Sequence, residues 1–190
     1  MRIIAGIYRS RRLKSLRGMK LRPTSDRLRE TLFNILGPQI EGSRFADLYA
    51  GTGAVGIEAL SRGAAEVIFI EKYPPAASLI RRNLDSLGVT TGAAILSVDA
   101  LRGVEMLAAQ HAAAPEEGMD IVFVDPPWDD DKEYARTLGA LGLAEFLSPG
   151  GRVVVEHRRN FSLAENYGRL RLARVLKQGD AALSFFELAA

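Results

Sequence analysis

The chain has 190 residues, 47% of them hydrophobic and 25% charged, enough to bury a full core and ordinary for one soluble globular domain spanning 1–190. It has no cysteine, which excludes a disulfide framework and thiolate metal sites and fits a reducing, cytoplasmic setting. No run approaches the roughly 18 apolar residues of a membrane span, and the start, Met1-Arg2-Ile3-Ile4-Ala5-Gly6, lacks an export signal core.

The net charge of +2 is unevenly placed: residues 1–30 carry ten basic and two acidic groups, and the rest carry 15 basic and 21 acidic. Positive charge gathered at one end of an otherwise acidic chain reads as a phosphate-facing arm. Residues 1–22 form this basic extension, with 2–6 and 13–16 as the sides of a small hairpin. Arg2, Arg9, Arg11, Arg12 and Lys14 are its candidate phosphate contacts, with Arg22 and Arg27 extending the set. Residues 23–37 read as a helix. Pro23 disfavours helix just before it, and Thr24 or Ser25 can cap. Leu28, Leu32, Ile35 and Leu36 share one buried face, and Gly37-Pro38 ends the run. Arg27, Thr31 and Asn34 lie on other faces.

From residue 44 to 190 strands alternate with helices. The spacing predicts strands at 45–49, 66–70, 93–98, 120–124 and 151–155, with helices at 54–62, 74–87, 102–112 and 133–147. Such alternation argues a parallel sheet covered on both faces. The runs 170–177 and 182–188 are joined too closely for anything but an antiparallel hairpin. The expectation is a Rossmann-like α/β fold with seven strands, mostly parallel.

Two stretches carry chemistry. Phe45 to Gly56 is an apolar run ending in Gly51-Thr52-Gly53, with Gly56 completing G-x-G-x-x-G before a helix. The glycines let the backbone turn tightly and approach a ligand, and the helix start offers free N–H groups. Glu71 follows the next strand, twenty residues after Gly51, where a carboxylate can accept ribose hydroxyls. A nucleoside-bearing cofactor follows, of a kind the glycines alone leave open. The second stretch, Asp125-Pro126-Pro127-Trp128, closes the strand Ile121 to Val124, at the end where open α/β sheets bind ligands. A carboxylate, a rigid carbonyl and a flat ring suit a planar base bearing an amino group; an NAD dehydrogenase has no evident use for them. Asp129-Asp130-Asp131 reads as a solvated loop, His111 and His157 as surface residues, and no metal site is expected. Arg158 and Arg159 are further candidates for a nucleic-acid surface.

These residues resemble class I S-adenosylmethionine-dependent methyltransferases. Met1-Arg2-Ile3-Ile4-Ala5-Gly6 and the run from Leu21-Arg22-Pro23-Thr24 to Thr31-Leu32-Phe33-Asn34 are similar to the RsmD family, which methylates the N2 amino group of one guanine in bacterial 16S rRNA. The likeness reaches Glu187. Ser10, where glycine is usual, Trp128, where Tyr or Phe is more usual, and Gln178, where an aromatic is common, depart from it. The resemblance implies a cofactor set of Thr24, Phe33, Asp47, Tyr49, Gly51, Thr52, Gly53, Glu71, Asp99 and Ala100. Glu71 would take the ribose and Asp99 the adenine amino group; spacing alone puts Phe33 in the core. It implies catalysis by Asp125, Pro126, Pro127 and Trp128, no metal, and S-adenosylhomocysteine as product. The implied partner is 16S rRNA in an assembling or assembled small subunit, met by a monomer. The rivals are an adenine-N6 methyltransferase acting on DNA or RNA, an NAD-dependent oxidoreductase and a non-catalytic RNA-binding module.

Overall fold

Hydrophobic alternation and caps set most of the elements. The computed structural model describes residues 1–15 and 24–189, so Arg22 and the rest of 16–23 lie outside the described residues. The chain groups into two compact units, Met1–Asp99 and Ala100–Ala190.

The first unit opens with a hairpin tighter than expected. Arg2 bridges Arg12, Ile3 N–H donates to the Arg11 carbonyl (3.0 Å) and Ser10 N–H to the Ile3 carbonyl (2.9 Å). The second side therefore begins near Arg11 rather than Leu13, because positive φ at Gly6 (82°) and Ser10 (68°) closes the turn early. α1 spans Asp26–Leu36, and the Ser25 hydroxyl accepts the Leu28 N–H, the expected type of cap. Its buried face is Leu28, Arg29, Leu32, Phe33 and Leu36. Ile35, expected there, is only half-buried, and Arg29 is inside. A short 3-10 turn, Gly37–Ile40, follows.

β1 (Arg44–Leu48), β2 (Glu66–Ile70) and β3 (Ala93–Leu96) are parallel, in the order β3-β2-β1, with α2 (Ala54–Ser61) and α3 (Pro74–Leu87) as the connections. The expected strand 93–98 stops at Leu96. That residue pairs with Ile70, the last residue of β2, so Ser97 and Val98 have no continuing ladder in this register.

The second unit contains α4 (Ala100–Ala113), β4 (Met119–Val124), α5 (Asp131–Leu143), β5 (Leu147–Arg158), β6 (Asn166–Tyr167), β7 (Leu170–Gln178) and β8 (Ala181–Leu188). β4 and β5 are parallel, and the order runs β4-β5-β8-β7-β6 with antiparallel pairing from β5 onward. Among the described residues the strand count is eight, not seven. The addition is β6, two residues that Gly168 folds back onto the start of β7. Gly142 of α5 makes room for it: a Cβ there would lie 1.8 Å from the Tyr167 carbonyl oxygen.

Candidate active site

The turn after β1 is held by carboxylates on both sides. Tyr49, Gly51 and Gly53 all have positive φ (60°, 56° and 77°), and Gly53 N–H closes the turn onto the Ala50 carbonyl at 2.7 Å. Gly53 then caps α2 with no side chain to satisfy the helix's first N–H groups. Asp47 serves instead. Its Oδ2 accepts the Gly56 N–H at 2.9 Å, and Asp47 is 2% exposed. Burial pushes the Asp47 carboxyl up from 3.8 to about 8; the Gly56 N–H opposes the rise and nearby Glu71 adds to it. Glu71, just past β2, accepts the Gly51 N–H with Oε2 and the Tyr73 N–H with Oε1, each at 2.8 Å. Gly56 serves packing: a Cβ there would meet the Phe69 ring at 2.3 Å. The structure thus brings Asp47, Gly51, Gly53 and Glu71 together around one turn.

Thr52, within that turn, is buried; its hydroxyl lies 3.9 Å from the Met1 sulfur. Thr24 is buried just before α1. Asp99 is exposed and immediately precedes α4, whose first residue, Ala100, is buried. Phe33 stands apart. Its ring stacks on Phe45 (centroids 6.4 Å apart) under the Arg62 guanidinium (5.0 Å). Phe45 lies near the start of β1, whereas the glycine turn leaves its other end, so these contacts give Phe33 a core packing role.

In the second unit, Asp125-Pro126-Pro127-Trp128 leaves the carboxyl end of β4. Asp125 and Trp128 are half-buried, Pro126 is buried and Pro127 exposed. The Pro127 carbonyl accepts the Asp130 N–H at 3.1 Å, so of the two proline carbonyls it is the one already engaged in folding the loop. Asp131, the first residue of α5, pairs with Arg158 at the end of β5, which ties down one of the acids expected to be solvated.

Tyr134 of α5 packs on Phe161 (4.8 Å) and lies edge-on to His157 (87°). Its hydroxyl is buried with no hydrogen-bond partner among the described residues. Burial pushes the phenol up, Asp125, Glu156 and Asp131 add to the rise, and Arg158 opposes it. His157 is 2% exposed, contrary to the surface reading. Its Nδ1 is 2.9 Å from the Arg158 carbonyl and so carries the proton, while Nε2 accepts from the Ser184 hydroxyl at 2.8 Å. Burial accordingly lowers its pKa.

The basic extension is anchored. Ile3 and Leu13 are buried, while Arg2, Arg9, Arg11, Arg12 and Lys14 are exposed around them, as is Arg27 on α1. Glu58, in the middle of α2, accepts the N–H groups of Ile4 (2.8 Å) and Ala5 (3.0 Å) and pairs with Arg29 and Arg62. Ser61 takes the N–H groups of Ile7 and Tyr8. The sequence reading missed Glu58, Ser61 and Asn83. The available signal was a lone acid inside Ala54-Val55-Gly56-Ile57-Glu58-Ala59-Leu60, where a charge has to find a buried partner.

This architecture, with a glycine turn after β1 and Asp-Pro-Pro-Trp after β4, is that of the α/β methyltransferases. The putative methyltransferase yhhF from Escherichia coli has the same fold, with a TM-score of 0.82, 32% identity, and 100% of this chain and 98% of that one covered. A putative methylase from Haemophilus influenzae gives 0.78 at 28% identity, covering 100% and 98%. The family described as Conserved hypothetical protein 95 matches residues 1–187, and the chain belongs to it, as an RsmD-type methyltransferase. The putative rRNA methyltransferase YlbH of Bacillus subtilis is 37% identical over 98% of both chains. The ribosomal RNA small subunit methyltransferase D of H. influenzae is 36% identical over 90% of this chain and 86% of its own. Among the described residues no helix is long and apolar enough to cross a membrane.

Proposed function

We propose that the protein transfers a methyl group from S-adenosylmethionine to the N2 amino group of a guanine in 16S rRNA, acting as a cytoplasmic monomer on the small subunit or its precursor. The observation that carries this reading is Asp125, half-buried at the carboxyl end of β4 beside the buried Pro126, in a chain related over its length to proteins named as rRNA methyltransferases.

The residues fit the cofactor. Asp47 is a buried carboxylate whose ionised form gains from a cation, which the methionine ammonium offers, directly or through water. The Gly51-Thr52-Gly53 backbone can be approached closely, Glu71 has lone pairs beyond its two backbone bonds for ribose hydroxyls, and exposed Asp99 can accept an adenine amino group. When bound, the sulfonium supplies an activated methyl group with a good leaving group, so no metal or covalent enzyme intermediate is needed.

The chain's own task is to prepare the nucleophile. An exocyclic amino lone pair is delocalised into its ring. Hydrogen bonds from that amino group to the Asp125 carboxylate and the Pro126 carbonyl would localise it and aim it at the methyl carbon to be transferred. With the donor bound, nitrogen would form the bond to the methyl carbon as the C–S bonding pair left with sulfur, and Asp125 or solvent would take the proton shed by nitrogen. Trp128 stacks on the extruded base. Exposed Arg2, Arg9, Arg11, Arg12, Lys14 and Arg27, together with Arg22, hold phosphates.

Incubation with radiolabelled S-adenosylmethionine and unmodified small subunits, followed by nucleoside analysis, tests the reading. Label in N2-methylguanosine is expected, whereas label in N6-methyladenosine moves the enzyme to the adenine branch. Asp125→Ala should abolish transfer and leave S-adenosylhomocysteine affinity nearly unchanged; near-normal turnover would remove Asp125 from the mechanism.

A further inference from the structure

Asn83 on α3 is fully buried, at 0% exposed, and its amide is divided between two distant segments. Nδ2 donates to the carbonyl of Thr52 (3.2 Å), inside the glycine turn, and to the carbonyl of Lys14 (3.3 Å); Oδ1 accepts the Lys14 N–H (2.9 Å). Two further contacts bracket this joint. The Arg11 guanidinium donates to the Ser86 carbonyl one turn along α3 (2.7 Å), and the Thr52 hydroxyl meets the Met1 sulfur. Thr52 sits between two glycines that have no side chains to fix the turn, so the amide fixes its carbonyl from outside. Moving Lys14 away strips the amide of two of its three bonds, and a buried amide tolerates that poorly. One side chain therefore joins the basic segment to the turn, in addition to the anchors that Glu58 and Ser61 give the segment.

We propose that Asn83 is a positioning residue that couples the basic N-terminal segment to the cofactor turn, so that RNA held by the segment tightens cofactor binding. The inference deepens the methyltransferase reading and rests on it, since it takes the segment as the RNA surface and the turn as the cofactor surface. Such coupling is reciprocal: bound cofactor must tighten the segment's hold on RNA by the same factor. A purely structural amide would alter stability without changing how one site responds to the other.

The test is calorimetric titration of the full chain with S-adenosylhomocysteine, with and without saturating 16S rRNA transcript. Low salt is used, where phosphate contacts alone suffice for binding. RNA should tighten the ligand on the wild type by about five-fold or more, and Asn83→Leu should bind both while its gain drops below about two-fold. An equal gain in the variant, or none in a wild type that binds both, overturns the coupling. Should Asn83→Leu not fold, amide exchange in the wild type decides: S-adenosylhomocysteine should slow exchange of the Lys14 N–H several-fold, and unchanged exchange overturns the proposal. A wild type that binds no S-adenosylhomocysteine removes the methyltransferase reading, and one that binds no transcript removes the RNA role of the segment; either takes the coupling with it.

Discussion

Ser10 holds a backbone conformation that its own side chain opposes, with φ at 68°. For a residue with a Cβ the left-handed region costs about 1–2 kcal/mol. Glycine would remove that cost but add roughly 0.4–1 kcal/mol of unfolded-state freedom. Ser10→Gly should therefore stabilise the protein by about 0.5–1 kcal/mol, read as a higher urea midpoint at unchanged slope; an equal or lower midpoint would show the turn to be relaxed as it stands. Asp47 offers a second test. Its carboxyl goes from 3.8 when exposed to about 8 in the fold, so the folded state holds the proton more tightly than the unfolded chain. The stability this contributes is whole below about pH 4 and is lost as pH climbs through about 8. Wild-type stability should fall between about pH 5 and pH 9 relative to Asp47→Asn, measured by urea unfolding in matched buffers. A pH-independent difference would mean that Asp47 is already ionised.

α2 shows how one element can serve the turn and the basic segment together. Every residue of Ala54–Ser61 is buried. Its amino end is capped from β1 by Asp47 and its middle holds the chain start through Glu58. Glu58→Ala would leave Arg29, whose side chain is 0% exposed, with Asp26 as its remaining carboxylate partner, and would free two N–H groups. Breaking a buried pair in this way costs about 3–5 kcal/mol. Chemical denaturation should show a loss of that order, and a loss under about 1 kcal/mol would make the pair incidental. Elements of this kind also show what a sequence can locate. That Asp47, Gly51, Gly53 and Glu71 gather at one turn was legible because a tight turn between parallel strands needs glycine and carboxylate at short, fixed spacings. β6 was not, being shorter than any alternation can register. His157 was misread because Arg158 and Arg159 beside it look like a strand end in solvent, whereas β5 continues to Arg158. The docking of the first fifteen residues was not legible either, because its partners are nonlocal and only Glu58, out of place in an apolar helix, hints at them.

For the molecule as a whole, charge is the organising asymmetry. The amino-terminal stretch is strongly basic and the remainder carries more acids than bases, so the fold presents cations where Ile3 and Leu13 pin them. Replacing Arg9, Arg11, Arg12 and Lys14 together by glutamine should weaken RNA binding. It should also flatten the plot of log affinity against log salt by roughly three to three and a half units, at about 0.7–0.9 for each of the four phosphate contacts; an unchanged slope would place the RNA elsewhere. The anchoring of this segment also bears on how the chain is made. Ile4, Ala5, Tyr8, Arg11 and Lys14 bond to residues 53 to 75 positions further on. Synthesis runs from the amino end, so residues 1–15 are joined well before Glu58, Ser61, Asn83 and Ser86. Until α2 and α3 have followed, this segment is cationic and without its docking surface, and its long-range bonds cannot form.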